Sequence, residues 1–158
     1  MVDIRPARPD DIQLVATLVR ELAAYEKLTD SVVSTPEDFA RALFGEPPRA
    51  HALILEADGQ PAGFALYFYI FSTFAGRPGL FLEDLFVRPD FRRRGFGRAV
   101  FRHLARIALA EGCRRLDWEV LDWNEPAIQF YAALGAKPTQ GWIGQRLSGP
   151  ALEALARE

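Results

Sequence analysis

Cysteine is almost absent from this 158-residue chain: Cys113 stands alone, which excludes an internal disulfide and a cysteine-built metal centre. Histidine is scarce too, with only His51 and His103, so zinc has few ligands to use and no metal is expected. No apolar run is long enough to span a bilayer; the longest covers residues 64–71. Residues 1–11 are charged and lack the apolar stretch of a secretory signal, so a cytoplasmic protein without membrane association is the expectation. Net positive charge is missing as well. The 19 basic residues face 21 acidic ones, a formal balance of −2, which disfavours a nucleic-acid partner. What is present is 49% hydrophobic and 12% aromatic residues. That suffices for one ordinary folded domain over residues 1–158 and does not fit a disordered chain.

The charge is unevenly placed. Across residues 88–115, nine arginines face only Asp90 and Glu111, whereas residues 116–126 carry Asp117, Glu119, Asp122 and Glu125 and no base. Two readings stand: a solvated helix face followed by an acidic loop, or a polyanion site beside a cation site.

Hydrophobic periodicity predicts a first strand over 2–5 and an amphipathic helix over 9–24, with Ile12, Val15, Val19 and Leu22 on one stripe. Thr35-Pro36-Glu37-Asp38 is a helix start: a capping threonine, then proline, then an acid at the third position. Two strands, 51–57 and 62–71, meet at Asp58-Gly59, a strong hairpin signal. A further strand covers 80–87, apolar except for Glu83 and Asp84. A helix over 97–111 buries Val100, Phe101, Leu104, Ile107 and Ala108 and exposes Arg98, Arg102 and Arg106. A strand over 113–120, a helix over 125–134, a late strand over 142–147 and a final helix over 150–157 follow. The fold class is α/β, with a twisted mixed sheet of six to seven strands and helices on both faces.

The turn from residue 87 to 97, Val87-Arg88-Pro89-Asp90-Phe91-Arg92-Arg93-Arg94-Gly95-Phe96-Gly97, joins a buried strand to a helix. Two glycines there let backbone N–H groups converge on an anion at a helix N-terminus. By itself Gly-x-Gly could equally be a tight turn. It is neither a dinucleotide fingerprint nor a P-loop. The wider pattern is a strand, Val-x-Pro, an aromatic, Arg-x-x-Gly-x-Gly and an amphipathic helix. It resembles the acetyl-CoA loop of the Gcn5-related N-acetyltransferase superfamily. Residues 81–87 (Phe-Leu-Glu-Asp-Leu-Phe-Val), 123–131 (Trp-Asn-Glu-Pro-Ala-Ile-Gln-Phe-Tyr) and 20–26 (Arg-Glu-Leu-Ala-Ala-Tyr-Glu) are similar to its diamine and thialysine acetyltransferase branch. Arg93 departs from the pattern, where glycine is common.

The resemblance implies an N-acetyltransferase that moves the acetyl group of acetyl-CoA to a primary amine of a small cationic acceptor. Acetylation of peptide N-termini or aminoglycosides, or a non-catalytic acyl-CoA sensor, are the alternatives. It implies cofactor binding by Leu85, Phe86 and Val87, by Arg92, Arg93, Arg94, Gly95, Phe96, Gly97 and Arg98, and by Asn124, Pro126 and Ala127. It implies acceptor contacts from Tyr25, Glu26 and Glu83, and a homodimer. Asp117 and Glu119, on one face of the predicted strand over 113–120 with Trp118 between them, are further acceptor candidates. The amine arrives protonated, so a base, or a path to water, must remove its proton. Glu83 is the candidate, its pKa expected to be raised by burial between apolar triplets. Asp84 reads as structural. Tyr131 is the candidate proton donor to the leaving thiolate, seven positions after Asn124 and so on nearly the same helix face.

Overall fold

Five strands form one sheet in sequence order: β1 (Val2–Pro6), β2 (His51–Ala57), β3 (Gln60–Ser72), β4 (Arg77–Val87) and β5 (Leu116–Trp118). The first four are antiparallel neighbours, and β5 joins β4 in parallel. This computed structural model describes residues 2–158. Its contacts divide the chain into two compact units, one ending at Trp123 and the other spanning Asn124–Glu158.

In the first unit, α1 (Ile12–Tyr25) and α2 (Pro36–Phe44) cover one sheet face. Val15, Leu18 and Leu22 of α1 and Leu43 of α2 pack with Ala52, Ile54, Phe64 and Phe86. Thr35 caps α2 as the sequence predicts, exchanging hydrogen bonds with Asp38. Helix α3 (Phe96–Ala110) buries Phe96, Val100, Phe101, Leu104 and Ala108, and its contacts are with β1, β4 and β5. Residues of the opposite strand parity, Leu53, Leu55, Ala65, Leu80 and Leu82, form the sheet's other buried face. At the β2–β3 hairpin both Asp58 and Gly59 have positive φ, 53° and 76°, the conformation that matches the twist of a tight hairpin. Gly63 lets β3 run close to β4: a Cβ there would fall 2.0 Å from the carbonyl oxygen of Phe86.

The second unit holds α4 (Glu125–Ala133) and α5 (Gly149–Leu155). The late strand expected over 142–147 does not form, and β5 is three residues long where eight were expected. The sheet therefore has five strands, not six or seven. Glycines at 141, 144 and 149 break up the late segment, and Trp142 and Ile143 are 83% and 86% exposed. An alternating pattern becomes a strand only where one of its faces is buried.

Candidate active site

A β-bulge in β4 sets the geometry. Leu66 pairs with Asp84, yet the next residue of β3, Tyr67, pairs with Leu82, so Glu83 is the extra residue. Period-two alternation would put Asp84 on the face of Leu82. The inserted Glu83 moves it to the face of Leu66, Phe64 and Phe86, beneath α1 and α2. There Asp84 is largely buried and its carboxyl is pushed up to about 7, first by burial and then by the nearby charges of Glu83 and Glu26. Burial raises the Glu26 carboxyl too. Glu83 itself is exposed. The expectation that Glu83 is the buried acid is thus corrected: the bulge turns it outward, and its neighbour takes the buried position.

The bulge coincides with the point where the strands part. β4 and β5 pair only at Leu80–Leu116, Phe81–Asp117 and Leu82–Trp118. From Glu83 to Val87 the β4 edge that β5 would occupy carries no ladder. A row of unpaired backbone groups can bind an extended amide-bearing chain as an added strand would.

Next comes the turn that enters α3. Arg93 and Gly95 both have positive φ, 62° and 85°, and Gly95 immediately precedes the helix. Left-handed residues beside right-handed ones make a concave array of N–H groups suited to an anion. An added Cβ on Gly95 would meet nothing within 4 Å, so its place there reflects backbone conformation and not crowding. Arg92, Arg93, Arg94 and Arg98 are all exposed. Two of them have internal contacts. Arg92 donates to the Val87 carbonyl at 3.0 Å and lies over the Tyr25 ring at 4.6 Å. Arg94 lies 5.2 Å over Phe91 and 4.0 Å from Asp58. An open strand edge leading to a basic, amide-rich turn fits a pantetheine arm and its pyrophosphate.

The end of α1 borders this strand. Glu21 takes two hydrogen bonds from Arg88, at 2.7 and 2.8 Å, and Arg88 also donates to the Pro61 carbonyl. This pair ties α1 to the end of β4, and sequence reasoning did not foresee it. Tyr25 tilts against Trp123 at 6.5 Å, with the Lys27 ammonium 4.7 Å above the indole. Glu26 stands near enough to the carboxylates of β4 for its charge to act on Asp84, and Tyr25 precedes it at the end of α1. Other expected acceptor residues are placed differently. Asp117 pairs with Arg115 at 2.7 Å, which compensates its charge. Trp118 packs edge-on against Phe101 of α3, on the sheet face opposite Asp84. Glu119 lies beyond the end of β5 and is exposed. His51 stacks on Tyr67, whose hydroxyl is pushed up to about 12, chiefly by burial, on that same opposite face. Cys113 is buried.

In the second unit, Asn124 precedes α4, Pro126 and Ala127 lie in its first turn, and Tyr131 lies along it with its ring 5.4 Å from that of Phe130.

A split parallel pair above an anion-accepting turn, with a carboxyl poised near neutrality, is the architecture of an acyltransferase that draws on a phosphate-bearing thioester. The Acetyltransferase (GNAT) family model matches residues 17–136, and the chain belongs to that family, whose members use acetyl-CoA. Over 98% of this chain and 97% of the relative, it is 40% identical to thialysine N-epsilon-acetyltransferase of Bos taurus. It is 29% identical to L-ornithine N5-acetyltransferase of Arabidopsis thaliana, over 96% of this chain and 86% of that one. An integron cassette protein from the mobile metagenome of V. cholerae superposes with a TM-score of 0.81 at 28% identity, over 99% and 98% of the two chains.

Proposed function

We propose that this protein acetylates a primary amine of a small cationic acceptor, a lysine- or ornithine-like amino acid or a diamine such as a polyamine. The observation that carries this reading is the acidic group of Glu26, Glu83 and Asp84 at the place where β4 leaves β5. Three carboxylates of which one is held near neutrality suit an ammonium group that must be bound and then deprotonated. The names of the similar proteins, acting on thialysine and ornithine, support the acceptor class.

Bound acetyl-CoA supplies the activated acetyl group. The β4 edge from Glu83 to Val87 would hold the extended arm and the turn from Arg92 to Arg98 the phosphates; cofactor contacts from Asn124, Pro126 and Ala127 rest on the family resemblance. Glu83 and Glu26 attract the acceptor's charge, and Tyr25 lines its approach. An Asp84 carboxylate oxygen takes the ammonium proton; its position favours it over Glu83 for that step. The deprotonated amine would form the new N–C bond as the thioester C–S bond breaks, and the Tyr131 Oη would give a proton to the leaving sulfur, a role resting on the family resemblance. A phenol is protonated at neutral pH and can donate.

The reading extends to assembly and location: one catalytic domain over the whole chain, forming a homodimer in the cytoplasm. Trp142 and Ile143, exposed in the second unit, support an apolar contact between copies. Light scattering should give the mass of two chains. Among the described residues no helix is long and apolar enough to cross a membrane.

The test of acceptor class is product mass spectrometry with acetyl-CoA and a panel containing thialysine, lysine, ornithine, putrescine, spermidine, an aminoglycoside and a peptide with a free N-terminus. Acetylation of the small diamines or diamino acids is expected. Turnover confined to the aminoglycoside or the peptide would move the assignment, and none at all would leave a binding protein.

A further inference from the structure

Helix α3 carries more positive charge than a pyrophosphate site requires. Arg98, Arg102 and Arg106 recur at four-residue steps and all are exposed. The opposite stripe, Val100, Phe101, Leu104 and Ala108, is buried and fixes which way the row points. No acidic residue occurs between Asp90 and Glu111, so no carboxylate on the helix can neutralise the row. Among the described residues none of the three arginines has an ion-pair partner. A helix rises about 1.5 Å per residue, so the row runs roughly 12 Å from Arg98 to Arg106, leading away from the Gly95 turn. Arg98 is close enough to that turn to belong to it; Arg102 and Arg106 are one and two turns further off.

We propose that Arg102 and Arg106 form an electrostatic landing strip that guides the cofactor's phosphates to the Gly95 turn without touching them in the bound state. The inference rests on the reading that the chain binds acetyl-CoA. Coenzyme A carries three phosphate groups and roughly four negative charges. A one-signed stripe beside a binding turn raises the encounter rate of such an anion, and salt weakens the effect. The protein as a whole is slightly acidic, with a formal net charge of −2, so without a local stripe its mean field would repel the cofactor. Charges outside the final contact act on association, whereas groups that hydrogen-bond the ligand act on dissociation.

Stopped-flow binding of coenzyme A to wild type and to Arg102→Glu/Arg106→Glu separates the two. At about 20 mM ionic strength, where the screening length exceeds about 20 Å, the association rate should fall about fivefold or more in the variant. The difference should close at about 0.5 M salt, and the dissociation rate should stay within about twofold. Arg102→Gln/Arg106→Gln, which removes charge without reversing it, should give an intermediate loss and guards against a folding defect. Equal association rates at low salt, or a loss confined to dissociation, would overturn the proposal. So would short duplex DNA that binds wild type and not the variant at about 0.15 M salt, where the screening length is about 8 Å; the row would then be a nucleic-acid contact. Failure of wild type itself to bind coenzyme A would instead overturn the cofactor reading, and the strip with it.

Discussion

Asp84 lies across from Leu66 in the β3–β4 ladder, on the face that α1 and α2 cover, because Glu83 is the extra residue of a bulge. That places a carboxyl beside an apolar core and pushes it up to about 7. An acid raised in this way binds its proton in the folded state over a range where the unfolded chain has lost it. Its stabilising protonation is complete below about pH 4 and is lost as pH rises through 7. Asp84→Asn should therefore leave stability unchanged near pH 4 and raise it at pH 8, by on the order of 2 kcal/mol. Urea unfolding at the two pH values measures this. An equal effect at both would show that the site does not disfavour the charged form.

Arg93 holds a left-handed conformation with φ of 62°. Such a conformation costs a side-chain-bearing residue roughly 1–2 kcal/mol, part of which glycine gives back through its freer unfolded chain. Arg93→Gly should stabilise the protein by about 0.5–1 kcal/mol. If backbone amides carry the phosphate contact, calorimetry should find coenzyme A affinity little changed. A tenfold weaker affinity would show that the Arg93 side chain binds the cofactor directly.

Tyr131→Phe keeps the ring and removes the hydroxyl. A proton-donating role predicts a fall in kcat of about 10²-fold with cofactor affinity preserved. Near-normal turnover, or weakened coenzyme A binding as the main defect, would remove Tyr131 from the chemistry and leave it a packing residue.

Much of the fold was legible because its elements announce themselves locally. Thr35 and Asp38 cap a helix, Asp58 and Gly59 close a hairpin, and the stripe from Val100 to Ala108 fixes the buried side of α3. The turn at Gly95 was legible for the same reason. The bulge at Glu83 was not. Its effect is a change of strand parity, visible only once β3 and β4 are in register, and it exchanged the expected environments of Glu83 and Asp84. Two adjacent acids in an apolar strand were the signal, without saying which would be buried. The Glu21–Arg88 pair spans 67 positions, beyond any local rule. The late strand over 142–147 failed because a suggestive alternation said nothing about whether a buried face awaited it.

The most direct test of the account is the pH dependence of kcat/KM for acetylation of a small diamino acid such as thialysine, in wild type and in Asp84→Asn. For wild type, the ascending limb should have an apparent pKa near 7, reporting the Asp84 carboxyl of the free enzyme. In Asp84→Asn the limb should vanish from that region, with kcat/KM at neutral pH lowered about 10²-fold or more. Glu83→Gln should retain the limb and lose mainly in KM. A variant Asp84→Asn that keeps both the wild-type rate and the wild-type profile would contradict the central claim that this buried carboxyl removes the acceptor's proton.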